Sequence, residues 1–139
     1  MYEYNCTVDR VVDGDTTDVV LDLGFSVRYK SRVRLYAIDT PESRTRNLDE
    51  KARGKMAGSF LEEAIEDGEK VVIQTKLKDS KGKYGRVLGD VVVDGININQ
   101  LMVKCHLAVA YHGQSKDDVE AEHMHNRDVL IEKGMFEPV

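Results

Sequence analysis

The stretch Arg34-Leu35-Tyr36-Ala37-Ile38-Asp39-Thr40-Pro41-Glu42 delivers one guanidinium and two carboxylates within a single strand and turn. A planar guanidinium pairs with two phosphate oxygens at once, which a lysine does not reproduce. Proline fixes its own φ and drives Thr40 out of the helical region, so Asp39 and Glu42 are held in a defined relation on either side of it. Pre-organised oxygens suit a hard cation. Asp15 and Asp39, one from each of two strand ends, could bind Ca²⁺ together with a backbone carbonyl such as that of Thr40, leaving other positions to water and substrate. With so few protein ligands the expected affinity is modest, and a substrate phosphate completes the shell. Asp13-Gly14-Asp15-Thr16 upstream supplies the further acids, and Lys83-Tyr84-Gly85-Arg86 downstream supplies a second arginine. Each feature alone has a plainer reading, as an Asp-Gly turn or a surface ion pair.

The elements that must position these groups follow from periodicity. Tyr4–Val12 and Asp18–Leu23 are rich in β-branched residues and flank turn chemistry at Asp13-Gly14-Asp15-Thr16, which predicts a hairpin. A third strand is expected over 26–38, with Val27, Tyr29, Val33, Leu35 and Ala37 on a buried face and Arg28, Lys30, Arg32 and Arg34 on a basic one. From Leu48 to Asp67 the period changes to three or four residues, predicting a helix stopped by Gly68, although Gly54 and Gly58 are poor helix formers. Strands follow at Lys70–Lys76 and Arg86–Val93, joined by a turn around Asp79-Ser80-Lys81-Gly82, with a tight turn at Asp94-Gly95. Ile98, Leu101, Met102 and Cys105 predict a short helix with Asn97 at its cap. A polar helix over Lys116–Lys133 ends at Gly134, and Met135-Phe136 fold back on the body. The order β-β-β-α-β-β-α-α places the chain in the α+β class, as a five-stranded Greek-key barrel of the OB-fold type with three α-helices.

One domain spanning residues 1–139 accounts for the length, and an apolar fraction of 41% fits a water-soluble globular protein. The opening Met1-Tyr2-Glu3-Tyr4-Asn5 has no charged or apolar leader, and no apolar run reaches membrane-spanning length, so a cytoplasmic location is expected. Cys6 and Cys105 are expected to be reduced. The net charge of −5 argues against binding nucleic acid by bulk electrostatics. The charges are uneven, however, with basic clusters at Arg28–Arg34 and Lys76–Arg86 and acids concentrated in 48–69 and 117–137, and a basic site can sit on an acidic body. His106, His112, His123 and His125 show no ligand-like spacing and are read as structural or surface groups. No exposed apolar stripe demands an obligate protein partner.

Taken in order and spacing, Asp13-Gly14-Asp15-Thr16, Arg34 through Glu42, Lys83-Tyr84-Gly85-Arg86 and Leu107-Ala108-Val109-Ala110-Tyr111 resemble the staphylococcal-nuclease-like (thermonuclease) family, over about Val8 to Tyr111. The resemblance implies a Ca²⁺-dependent phosphodiesterase on an OB-fold. It would act on DNA and RNA with little sequence preference, single strands being preferred, and would leave 3′-phosphates. It also implies that Asp15 and Asp39 ligate the metal, with Thr40 contributing its carbonyl, and that Glu42 is the candidate general base. Arg34 and Arg86 would hold the scissile phosphate. Lys83, Tyr84 and Tyr111 would contact the terminal phosphate and nucleotide, and Asp13 would be an acid beside the metal. Where the family has a second tyrosine just after the first, this chain has His112-Gly113, and Phe136 stands in for the family's C-terminal tryptophan. Two other readings remain. One is an OB module that binds nucleic acid without turnover. The other rests on Asp13-x-Asp15-x-Thr17, which resembles the nucleophile loop of haloacid-dehalogenase-type phosphatases; it needs a parallel α/β sheet, Mg²⁺ and a small phosphomonoester. An EF-hand loop is weaker, since its sixth position is Asp18 and its twelfth Gly24.

Overall fold

The computed structural model describes residues 2–76 and 86–139, with Arg86 described by its backbone. Strands β1 (Glu3–Asp13), β2 (Thr16–Asp22) and β3 (Arg28–Leu35) form an antiparallel meander. After helix α1 (Leu48–Asp67), β5 (Val71–Thr75) joins the other edge of β1, and β6 (Arg86–Val93) pairs with β5. A parallel pairing of β6 with β3, Arg32 opposite Arg86 and Leu35 opposite Gly89, closes these strands into a barrel. Closure removes the sheet edges that would otherwise stay exposed. The element order and the OB-type architecture are those the sequence predicts. A parallel α/β sheet around Asp13 and Asp15 is excluded, because they lie in the turn of an antiparallel hairpin, and with it goes the structural setting the phosphatase reading needs. The turn expected at residues 79–82 lies outside the described residues.

Short pairings refine the picture. The strand expected over 26–38 is interrupted at Tyr36-Ala37, where Ala37 takes a left-handed φ of 61°, and the chain re-enters as β4 (Ile38–Asp39) against β8 (Val109–Ala110). The predicted buried face is correspondingly shorter. Val33 and Leu35 are fully buried, but Val27 and Tyr29 are exposed, because the β2–β3 hairpin outruns the barrel, and Ala37 is exposed in the turn that breaks the strand. β7 (Ile96–Asn97) extends β6 through the Asp94-Gly95 turn, with both turn residues at positive φ, and leads into α2 (Ile98–Lys104), whose first turn is capped by the Asn97 side chain. Helix α3 (Lys116–Glu132) is capped by Ser115, and Gly134 follows it at φ 71°. Among the described residues no helix is long and apolar enough to cross a membrane.

Inward-facing Val19, Leu21, Val33, Leu35, Ile73 and Val91 meet Ala57 and Leu61 of α1, Ile98 and Met102 of α2, and Leu130 and Phe136 from the C-terminal end. Phe136 thus takes the packing position expected of it. Cys6 and Cys105 are free thiols, and burial pushes the Cys6 thiol up to about 11, so it stays protonated.

The core contains one polar node. Asn99, on α2, is 1% exposed. Its amide oxygen accepts from Val91 N–H at 3.0 Å, and its amide nitrogen donates to Tyr36 O, Gly89 O and Asp90 Oδ1 at 3.0–3.2 Å. It therefore ties α2 and β6 to the backbone at the β3–β4 break. Asn99→Ala leaves these groups unsatisfied in a dry setting and is expected to lower unfolding free energy by about 3 kcal/mol in urea melts. Asn99→Leu should fare no better.

Candidate active site

Two turns carry the predicted acids to one place. The β1–β2 turn presents Asp13, Gly14 and Asp15, and β4 with its continuation presents Asp39, Thr40, Pro41 and Glu42. Both turns seat on α1. A Cβ on Gly14 would fall 2.7 Å from Ala57 Cβ and 3.0 Å from Thr40 Cγ2. On Gly54 it would fall 2.6 Å from Pro41 O and 2.7 Å from the carbonyl carbon and oxygen of Glu42. Small residues on this face of α1 let backbone meet backbone. The glycines that weaken the helix locally are what allow it to hold the turns.

Within the site Arg34 bridges the two acids. Its Nη1 lies 3.4 Å from Asp15 Oδ2 and its Nη2 3.7 Å from Asp39 Oδ1, while Nη1 also donates to Leu35 O at 3.0 Å. Asp15 Oδ2 accepts the Thr40 N–H at 3.3 Å, and Asp15 Oδ1 accepts the Thr16 hydroxyl at 3.1 Å. Two carboxylates from separate turns therefore converge on one positively charged group. Together with Thr40, Glu42, Glu50, Tyr111, Gln114, Lys116 and His123, Arg34 and Asp39 line a cleft of about 440 Å³. Glu42 sits at its mouth, and its backbone N–H donates to Glu50 Oε2 at 3.2 Å. Partial desolvation at the rim, and then the negative charges of Asp15, Asp13, Asp39 and Glu50, push the Glu42 carboxyl above its ordinary range.

Not every predicted residue meets there. Asp13 accepts a short hydrogen bond from the Ser43 hydroxyl and faces a neighbouring cleft with Arg44 and Lys55, acting on Glu42 through its charge. Tyr111, 45% exposed, stands at the cleft wall, and its N–H donates to Ala37 O at 2.8 Å. The backbone of Arg86 begins β6 opposite Arg32, two positions along from Arg34. Lys83 and Tyr84 lie outside the described residues.

His123 corrects the sequence reading of the histidines. It is 6% exposed, on α3, with Nε2 2.8 Å from Asp39 Oδ2. That contact fixes one oxygen of Asp39 while Oδ1 faces Arg34. No local spacing announces the pair, which joins residues 84 apart. Helix α3 is placed by Asp49 on α1, whose Oδ1 accepts from both Arg127 Nε and the buried Arg53 Nε at 3.0 Å. Burial acts to raise the Asp49 carboxyl, but the hydrogen bonds from Arg127 and Arg53 outweigh it and hold the group below the usual carboxylate range. A depressed folded value means stability that is present above the unfolded pKa, about 3.9, and lost as pH falls through the folded one. Asp49→Asn is accordingly expected to cost about 2 kcal/mol near neutrality, with the gap to the parent closing in acid, as read by urea melts across pH.

A second cleft of about 450 Å³ between β8 and α3 is lined by His106, His112, His125, Glu122 and apolar side chains. It lacks the arginine and the paired carboxylates of the first. Among the described residues no three His, Cys, Asp or Glu side chains are arranged to hold a metal on their own. A cation between Asp15 and Asp39 would need backbone carbonyl, water or substrate oxygens besides. Hard carboxylate oxygens brought to the same guanidinium from two turns, beside the further acids Glu42 and Asp13, fit a hard divalent cation on those terms.

The model of the staphylococcal nuclease homologue family matches residues 32–129, a span that holds Arg34, Asp39, Thr40, Glu42, Arg86 and Tyr111 and begins after Asp15. Endonuclease YncB of Bacillus subtilis (strain 168) is 35% identical over 108 residues, covering 77% of this chain and 48% of YncB. The SPbeta prophage-derived endonuclease YokF of the same organism is 36% identical over 106 residues, 76% of this chain and 34% of YokF. An uncharacterized endonuclease of Escherichia coli is 33% identical over 113 residues, 81% of this chain and 64% of the relative. This chain thus spans about half of YncB and about a third of YokF.

Proposed function

Starting from a chain that belongs to the staphylococcal nuclease homologue family, we propose that it is a Ca²⁺-dependent nuclease that hydrolyses phosphodiester bonds of DNA and RNA with little sequence preference. The observation that carries this reading is the convergence of Asp15 and Asp39 on Arg34, with Glu42 at the mouth of the same cleft.

Asp15, Asp39 and the Thr40 carbonyl would hold the cation, which when bound supplies polarisation of a phosphoryl oxygen and orientation of water. The chain's own groups do the rest. Arg34 presents its fork to the scissile phosphate, joined by Arg86, and meets the charge that grows as phosphorus becomes five-coordinate. Glu42 takes a proton from the attacking water, the water oxygen bonds to phosphorus, and the bond from phosphorus to the 5′-oxygen breaks, the departing oxygen taking up a proton from solvent. The products are a 3′-phosphate and a 5′-hydroxyl. A carboxylate with a raised pKa is a better base near neutrality than an ordinary one. Tyr111 offers a face to the nucleotide, Lys83 and Tyr84 would contact the terminal phosphate and nucleotide, and bases that are free to stack make single strands the preferred form.

The test combines products and stability. Purified chain is incubated with single-stranded DNA and RNA in Ca²⁺, Mg²⁺ or chelator, and product length and termini are determined. Ca²⁺-dependent shortening to 3′-phosphate ends is expected; retarded but intact strands would identify a binding module instead. In parallel, Ca²⁺ at about 100 times its Kd should stabilise the chain by about 2.7 kcal/mol, and Asp39→Asn should abolish that gain.

A further inference from the structure

The tip of the β2–β3 hairpin is built at a cost that the fold does not repay. Gly24, Phe25 and Ser26 follow one another at φ 83°, 52° and 63°, in the left-handed region where a phenylalanine is strained. The turn is nonetheless well tied. Gly24 N–H donates to Asp22 Oδ1 at 2.9 Å, Leu23 N–H to Val27 O at 2.9 Å, and Val27 N–H to Gly24 O at 2.8 Å. Phe25 is fully exposed at its apex, and Leu23, Val27 and Tyr29 below it are each 41–51% exposed. A large ring held out in water on a strained backbone is a feature of binding surfaces rather than of folding.

The opposite face of the same arm is basic. Arg28, Lys30, Arg32 and Arg34 alternate along β3, and Arg28 and Lys30 are exposed. Two acids of β2 face this row, Asp22 opposite Arg28 in register and Asp18, which is shared by Arg32 at 2.8 Å and Arg10 at 3.2 Å. Arg10, Arg28, Lys30 and Arg32 therefore outnumber the acids on this face of a chain of net charge −5, and the row leads along one strand from the aromatic tip to Arg34, which sits between Asp15 and Asp39. Six strand positions separate Arg28 from Arg34, about 20 Å at roughly 3.3 Å each. At about 3.4 Å per stacked nucleotide that distance spans about six of them.

We propose that the β2–β3 hairpin is a second nucleic-acid-binding site, an arm on which the basic row of β3 tracks the phosphates of a single strand while Phe25 at the apex stacks a base beyond the cleft. An exposed aromatic ring at the end of a row of cations is chemistry that holds single strands without reading their sequence. Continuity of the row with Arg34 favours a nucleic acid over an anionic membrane surface as the occupant. The proposal deepens the nuclease reading and rests on it for the identity of the strand.

The test uses fluorescein-labelled dT15, long enough to reach the arm, with binding followed by anisotropy in chelator to prevent hydrolysis. Phe25→Asn places at the apex a residue that tolerates the left-handed turn, and Arg28→Gln with Lys30→Gln keeps side-chain length. The single and the double variant are each expected to weaken dT15 binding at least tenfold with no loss of melting temperature. The double variant should also flatten the slope of log affinity against log salt by about 1.4, for two phosphates at about 0.7 each. A separate reaction supplies Ca²⁺ and a labelled trinucleotide, too short to span cleft and arm. If the trinucleotide is cleaved but neither variant changes dT15 affinity, the arm proposal is overturned and the nuclease reading stands. If the trinucleotide survives while both variants weaken dT15, the arm stands as a binding site and the nuclease reading fails. Loss of binding to phosphatidylglycerol vesicles by Phe25→Asn, with dT15 affinity intact, would also overturn it in favour of a membrane.

Discussion

Glu42→Gln is expected to lower Ca²⁺-dependent turnover on single-stranded DNA by about 10²-fold or more while raising the stability of the ligand-free chain. The two effects have one origin. An amide of the same size cannot accept the proton of the attacking water, and positioned general bases contribute about 10²–10⁴-fold. The same replacement removes a charge that partial desolvation, and then Asp15, Asp13, Asp39 and Glu50, already disfavour. A carboxyl whose folded pKa is raised weighs against the folded state when ionised, and that burden lifts as pH falls through the folded value. The mutant should therefore melt higher than the parent near neutrality, with the difference vanishing in acid. Saturating Ca²⁺ should shrink it as well, by meeting the same charge. Thermal melts across pH, set beside initial rates, check both signs; a residue serving structure alone would lose stability with activity.

The second large effect separates two glycines four positions apart on α1. Gly→Ala in a helix interior ordinarily gains roughly 0.5–1 kcal/mol. Gly58 should behave so, because the nearest atom to an added Cβ is Gly14 N at 3.9 Å. Gly54→Ala should instead lose about 2 kcal/mol or more, since its Cβ meets Pro41 and Glu42 backbone at 2.6–2.7 Å and backbone cannot swing aside. Turnover should fall with it. Relief of the clash moves Glu42, and a displacement of about 1 Å can cost about 10²-fold. Urea melts of the two single mutants are the check, and equal shifts of the same sign would refute this account of the α1 face.

How much of this was legible in the chain follows from the range of the interactions. The barrel strands, the three helices, the Asn97 cap and the Asp94-Gly95 turn rest on local periodicity and turn chemistry, and they lie where those signals put them. The proline-locked turn and its acids were equally local. What escaped was contact at a distance. Alternation runs unbroken through Tyr36-Ala37, and only the pairing of Ile38 and Asp39 with Val109 and Ala110 explains why the strand must break. Gly54 and Gly58 read as weak helix until the turns that rest on α1 are in view. His123 reads as a structural or surface histidine with no partner named until α3 docks through Arg127 and Asp49 and brings it to Asp39. Val27 and Tyr29 have the period of core residues, but the barrel ends before it reaches them.

The seating of both acid turns on one face of α1 also sets an order of events in folding. Residues 1–39 can close their hairpins locally, yet the turns that carry Asp15 and Asp39 are not seated until Ala57 meets Gly14 and Gly54 meets Pro41, and Asp39 lacks His123 until α3 docks. If these acids hold the cation as proposed, its affinity during refolding is a clock for the docking of the helices, not for the formation of the strands. A refolding chain that has regained its β-sheet signal should then remain blind to Ca²⁺ until the helices arrive.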